Sequence, residues 1–127
     1  MFEVKLTRFD KLMGSNLVRP GVVLFDFPNS SYKIVAPTRL FITDSPENIP
    51  DSCVYIPFEG FNPTKEHSVD GKQPIPFVDL SMMQAIHKQH IGRTVGYVTE
   101  VDAQAIIEKL VTYLQGWWLV NKLIPYK

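Results

Sequence analysis

A mainly β fold, a small and partly closed barrel carrying one C-terminal helix, is what this sequence predicts. Three observations carry the prediction. The chain has 127 residues, enough for one hydrophobic core and too few for two ordinary domains, so residues 1–127 read as a single domain. Short apolar runs of strand length recur along it, broken by turn residues that include many of its ten prolines and seven glycines. A single stretch, starting at Thr99, has the cap and the periodicity of a helix.

Phe2, Val4 and Leu6 alternate with Glu3, Lys5 and Thr7, the period-two pattern of a half-buried strand. Asp10 to Asn16 carries turn chemistry in Gly14, Ser15 and Asn16. Leu17-Val18-Arg19-Pro20 leads into Gly21 to Phe27, a continuous apolar run too short for a helix and therefore a core strand. Pro28-Asn29-Ser30-Ser31 is a turn. Tyr32 to Ala36 follows at matching length, so the two runs are expected to pair as a hairpin. Pro37 has no donor for a ladder and is expected to end or kink the second strand. Arg39 to Thr43 and Ser52 to Phe58 read as further strands, and Glu59 to Gln73 as a long polar loop of the kind that usually serves function. Ile75 to Ile86 reads as one strand of mixed character, and Gly92 to Val98 as a last strand, bent at Gly96.

The helix is expected over about 99–116. Thr99 and Asp102 have capping-box spacing, and Glu100 and Asp102 place negative charge in the first turn, where the helix dipole favours it. Ala103, Ile106, Ile107, Leu110, Val111 and Leu114 recur at three- and four-residue steps as one apolar stripe. Gly116 is the expected stop, leaving 117–127 as an apolar tail that opens with Trp117 and Trp118, residue types that anchor subunit contacts.

Composition excludes several functions. The formal net charge is zero, which argues against a protein that coats DNA through many phosphate contacts, since such binding rests on a basic excess. Cys53 is the one cysteine, so no intramolecular disulfide forms, and it reads as a small core residue rather than a nucleophile. The opening residues lack the apolar core of a signal peptide, and no uncharged stretch approaches the roughly 18 residues of a membrane helix, so the expected location is the cytoplasm. His67, His87 and His90 show no spacing of a metal-ligand set; no metal and no cofactor are expected. Phosphate-loop, dinucleotide and nucleophile-elbow motifs are absent.

Two places invite chemistry. Arg19 precedes the core strand, and its guanidinium must face solvent, a carboxylate or an anionic ligand, because burying it unpaired is costly. Ala36-Pro37-Thr38-Arg39 breaks the partner strand and sets a hydroxyl beside a second arginine. If the runs pair, residues 19 and 38 share the open end of the hairpin, and a guanidinium and a hydroxyl converging there suit a phosphate. Polar residues are also what ordinary strand ends carry.

These segments resemble, in order, those of the MazF/PemK (Kid) family of toxin endoribonucleases. Gly14 to Leu24 looks like the family's "G…RP-x-V-V-L" strand, and Ile34-Val35-Ala36-Pro37-Thr38 like its "V-V-P-[TS/x]-T" strand. Gln84 to Ile91, then Val95-Gly96-Tyr97-Val98 and the helix, are similar to its "R-T-I-D-K-x-R-L…I-x-x-L" ending. The family's opening glycine motif has no counterpart in Phe2-Glu3-Val4-Lys5, Gln84 stands where the family has an arginine, and the tail from Trp117 is additional.

The resemblance implies an SH3-like barrel, a homodimer, and metal-independent cleavage of single-stranded RNA that leaves 2′,3′-cyclic phosphate and 5′-hydroxyl ends. It also implies an antitoxin protein as partner. Carried over by position, Arg19 would stabilise the phosphorane charge and Thr38 would contact the scissile phosphate. Arg39, Gln84 and His87 are expected to bind substrate, and the loop 59–73 to touch substrate or antitoxin. The alternative is a non-catalytic binding protein on the same barrel, either a catalytically inert relative or a poison like the CcdB gyrase poisons, which share the barrel and terminal helix and act by binding. Gly116-Trp117-Trp118 resembles their ending, and they lack the arginine-proline strand.

Overall fold

Alternation sends neighbouring strand residues to opposite faces, and the structure buries Val22 and Val23 on both. That is why the run around them is continuously apolar. The computed structural model describes residues 2–9, 17–41, 49–56 and 75–123. The expected turn at 10–16, the loop 59–73, residues 42–43 and 57–58 of two expected strands and residues 124–127 of the tail lie outside them.

Seven strands are described: β1 (Glu3–Phe9), β2 (Leu17–Phe25), β3 (Tyr32–Phe41), β4 (Cys53–Tyr55), β5 (Ile75–Asp79), β6 (Gln84–His87) and β7 (Ile91–Tyr97). All pairings are antiparallel, in the order β4-β5-β3-β2-β1-β7, with β6 also on β3. One helix, α1 (Glu100–Leu123), closes the described chain. The expected mainly β class with a C-terminal helix is what the structure shows.

The two faces of the sheet hold separate cores. Val4, Val22, Leu24, Ala36, Val54, Ile56, Val78, Leu80 and Val98 pack with Ala103 and Ile106 of α1. Phe9, Val23, Val35 and Ile86 pack with Ile91 on the other face. Gly21 is required in this second layer. A Cβ there would stand 2.6 Å from Val35 Cγ1 and 2.8 Å from Phe9 Cζ, closer than packed carbons tolerate.

β2 and β3 pair as expected, Gly21 opposite Pro37 and Val22 opposite Ala36, across a turn in which Ser30 N donates to Phe27 O. Pro28 and Asn29 fill its centre, and Asn29 takes the positive φ of 63° that asparagine tolerates best after glycine.

Pro37 does not end its strand. β3 runs through it and absorbs the expected strand from Arg39, because the change of partner occurs there: residues 32–35 pair with β6 and 38–41 with β5. A residue between two ladders needs no donor. Nor is Ile75 to Ile86 one strand. Asp79 accepts from Ser81 N and caps a single 3-10 turn, Leu80–Met82, that carries the chain from β5 to β6.

Thr99 caps α1 as the spacing predicted, Asp102 N donating to Thr99 Oγ1 and the Thr99 hydroxyl donating back to the Asp102 carboxylate. Two helix expectations need correction. The helix passes Gly116 and reaches Leu123, since glycine costs a helix interior only about 1 kcal/mol and Leu114, Gln115 and Leu119 beside it favour the helix. The stripe is also narrower than its periodicity implied. Ala103 and Ile106 are buried and Leu110 packs against them, whereas Ile107, Val111 and Leu114 are exposed, Leu114 by 64%.

Gly21→Ala is expected to lower the unfolding free energy by about 1–3 kcal/mol, the usual cost of forcing a methyl into a packed core. A lower urea midpoint at unchanged slope is the measurement.

Candidate active site

Pro20 and Pro37 lack backbone N–H groups, so the β2–β3 ladder runs short of donors at its open end. Side chains supply them. Arg19 Nη1 donates to Thr38 O at 3.2 Å, and Thr38 Oγ1 donates to Pro20 O at 2.7 Å. This reciprocal clasp joins the two residues that the sequence singled out.

Alternation places Arg19 with Gly21 and Val23, and Arg39 with Val35 and Pro37. Because Gly21 faces Pro37, both arginines lie on the face away from α1. Burial first, and then the Arg39 charge, push the Arg19 guanidinium below its usual pKa. Arg19 Nε is buried without a hydrogen-bond partner among the described residues. Two neighbouring cations, one holding a buried and unsatisfied N–H, favour an anion between them.

Thr38 belongs to the other face by the same alternation, opposite Val78, and is only 5% exposed. Its proton is given to Pro20 O, so it reaches the clasp sideways rather than from open solvent.

Arg39 is fixed by a carboxylate that the sequence reading missed. Its Nη1 donates to Asp79 Oδ2 at 3.1 Å, and Asp79 is 1% exposed. Asp79 Oδ1 accepts from Ser81 Oγ at 2.6 Å, Ser81 N at 3.1 Å and Ser52 Oγ at 3.2 Å. Burial alone would raise the Asp79 pKa. The hydrogen bonds from Ser81, Arg39 and Ser52 outweigh it and hold the carboxyl below the ordinary range. An acid at the end of an apolar strand was the available signal. Cys53, opposite Asp79, is buried, and burial and that carboxylate push its thiol up, away from the reactive thiolate.

The remaining expected site residues lie further off. Gln84 faces Val35 from β6, and its Nε2 donates to Met82 O at 3.4 Å. His87 faces Tyr32, and the six positions from there to Thr38 span about 20 Å of strand. Its ring meets Tyr32 edge-on at 5.1 Å and its Nδ1 accepts from Gln89 N. The structure therefore gathers Arg19, Thr38 and Arg39 and leaves His87 at the hairpin's closed end.

The chain matches no family model and no curated protein. Among solved structures it is similar to the Mycobacterium tuberculosis toxin MazF-mt6, with a TM-score of 0.60 and 19% sequence identity over 89% of this chain and 96% of that one. The barrel is MazF-like. Among the described residues, no helix is long and apolar enough to cross a membrane.

Asp79 gives the protein a defined acid response. Its folded pKa lies below the unfolded value of about 3.9, so as pH falls the unfolded chain binds the proton first. The stabilisation is complete above the unfolded pKa and is lost as pH drops through the folded one. Urea unfolding from about pH 7 to pH 3 is expected to show this loss in the wild type and a flatter profile in Asp79→Asn. At neutral pH the variant is expected to be less stable by about 1–3 kcal/mol, because Arg39 and both serines lose a charged acceptor.

Proposed function

We propose that this protein is a toxin-type endoribonuclease that cleaves single-stranded RNA without a metal ion, acts as a homodimer in the cytoplasm, and is neutralised by an antitoxin protein. The observation that carries the reading is the clasp. It sets Arg19, with a partnerless buried N–H, beside Arg39 on one face of a MazF-like barrel.

In this reading the ribose 2′-hydroxyl gives its proton to water and its oxygen attacks the adjacent phosphorus, while the P–O5′ bond breaks and the leaving 5′-oxygen takes a proton from water, giving a 2′,3′-cyclic phosphate and a 5′-hydroxyl. Negative charge grows on the non-bridging oxygens, and Arg19 is placed to meet it with charge-assisted hydrogen bonds. Thr38 has a positioning share through Pro20 O. For its hydroxyl to contact the scissile phosphate, its proton must pass from that carbonyl to a phosphate oxygen. A threonine hydroxyl is a weak acid, so hydrogen bonding rather than proton transfer is its role. Arg39 adds a second cation, and Gln84, opposite Val35 on the arginine face, contacts a flanking nucleotide, whereas His87, opposite Tyr32 on the other face, takes no part. The exposed edge of α1, with Ile107, Val111 and Leu114, supports assembly with a second subunit or with the antitoxin.

The test is incubation of the purified protein with mixed-sequence RNA in EDTA, followed by end analysis. The expected result is fragments with 5′-hydroxyl ends, cleavage about 10²–10³-fold slower in Arg19→Ala, and a loss in Thr38→Val that Thr38→Ser restores. Intact RNA with wild type, or equal cleavage by Arg19→Ala, overturns the mechanism. Trapped, cleaved supercoiled DNA in the presence of gyrase would assign the chain to the poison class instead.

A further inference from the structure

Beyond the phosphate site, the same face carries a row of rings. Arg39, Phe77 and Tyr55 are direct cross-strand neighbours on β3, β5 and β4, and Phe41 follows Arg39 on the same side of β3. The Arg39 guanidinium carbon lies 4.9 Å from the centre of the Phe41 ring. Phe41 meets Phe77 edge-on at 5.3 Å, and Tyr55 meets Phe77 at 5.6 Å with a 56° tilt. Phe77 is buried and supports the others. Tyr55 stays 50% exposed, and the Arg39 side chain 38% exposed.

Buried Asp79 anchors the row at one end, holding the guanidinium against the Phe41 ring. At the other, an aromatic side chain is open to solvent about two strand spacings, or 10 Å, from Arg39. A planar cation stacked on a ring, followed by an open ring, next to a second arginine, matches how unpaired bases are gripped beside a phosphate.

We propose that Arg39, Phe41 and Tyr55 form a base-stacking subsite for an unpaired nucleobase one or two nucleotides from the phosphate held by Arg19. The proposal rests on the endoribonuclease reading and names where the bound strand runs: from the clasp across β3 and β5 toward β4. An acidic peptide would use the arginines and gain less from the rings. A nucleic acid strand presents phosphate and π-face together, and this surface has a partner for each.

The test reads binding without cleavage. The probe is a mixed-sequence, single-stranded 2′-O-methyl octanucleotide, which lacks the attacking hydroxyl, alongside an abasic chain of equal length and charge. Tyr55→Ala is expected to bind the octamer about tenfold more weakly than wild type, the usual loss for one stacked base. Tyr55→Phe is expected to bind like wild type, and the abasic chain to show no difference between wild type and Tyr55→Ala. Thermal melting of both variants verifies that this half-exposed position leaves the fold intact. Equal octamer affinity for wild type and Tyr55→Ala overturns the subsite, and so does an equal loss on the abasic chain. Weakened binding of an acidic peptide with octamer binding unchanged also overturns it, in favour of a peptide site. If wild type cleaves no RNA yet the Tyr55 difference persists, the nuclease reading fails and the subsite stands. If RNA cleavage is intact and the Tyr55 difference is missing, the subsite alone fails.

Discussion

Strand β3 has two edges and three partners. It lies beside β2 over residues 34–37, and its other edge passes from β6 to β5 around Pro37. The exchange is possible because a proline asks nothing of a ladder, and it bends one sheet into the two parts of a barrel. One step further along, Pro20 has no N–H to offer at the open end of the hairpin. Buried carbonyls must find partners, and Arg19 and Thr38 provide them. The residues proposed to act on a phosphate are therefore the ones that finish the ladder, so the site is built into the fold's main joint.

The electrostatics follow from that joint. A neutral chain can still hold a local cationic site if its acids are placed where they do not cancel it. Asp79 does this from inside. Four hydrogen bonds from Ser81, Ser52 and Arg39 absorb its charge below the surface, while Arg39 remains half open above it. Arg19 has no such carboxylate among the described residues, and it feels the Arg39 charge directly. One arginine is thus tethered and the other is kept hungry for an anion.

Much of this was legible in the sequence, and the reasons are local. Val22-Val23-Leu24 announced a strand buried on both faces, and the Thr99 cap announced the helix start, since both signals are fixed by near neighbours. The pairing of Arg19 with Thr38 could be read because a hairpin has only one open end. That the strand continues through Pro37 could not be read, because the tolerance of a proline depends on which strands lie beside it, a tertiary fact. The breadth of the apolar stripe on α1 was misread for a similar reason. Periodicity shows which face of a helix is apolar, but not how much of that face the barrel is wide enough to cover. Asp79 was missed entirely, since Arg39 and Ser52 reach it from two other segments that no spacing rule links to it.

The helix itself leads to a different kind of consequence. At 24 residues it is about 36 Å long, and among its described side chains, which run to Gly116, the buried Ala103 and Ile106 and the packed Leu110 lie in the first three turns. A detached peptide corresponding to the rest would be too short to hold helical structure well in water, because forming a first turn is the unfavourable event. Joined to turns already docked on the barrel, it needs only propagation. The first turn of the helix is fixed at Thr99 by two hydrogen bonds with Asp102 and by the contact of Ala103 with the core. The order of residues beyond Leu110 is thus inherited from a threonine at the far end, and any partner of the outer half meets a helix whose ordering entropy has already been spent.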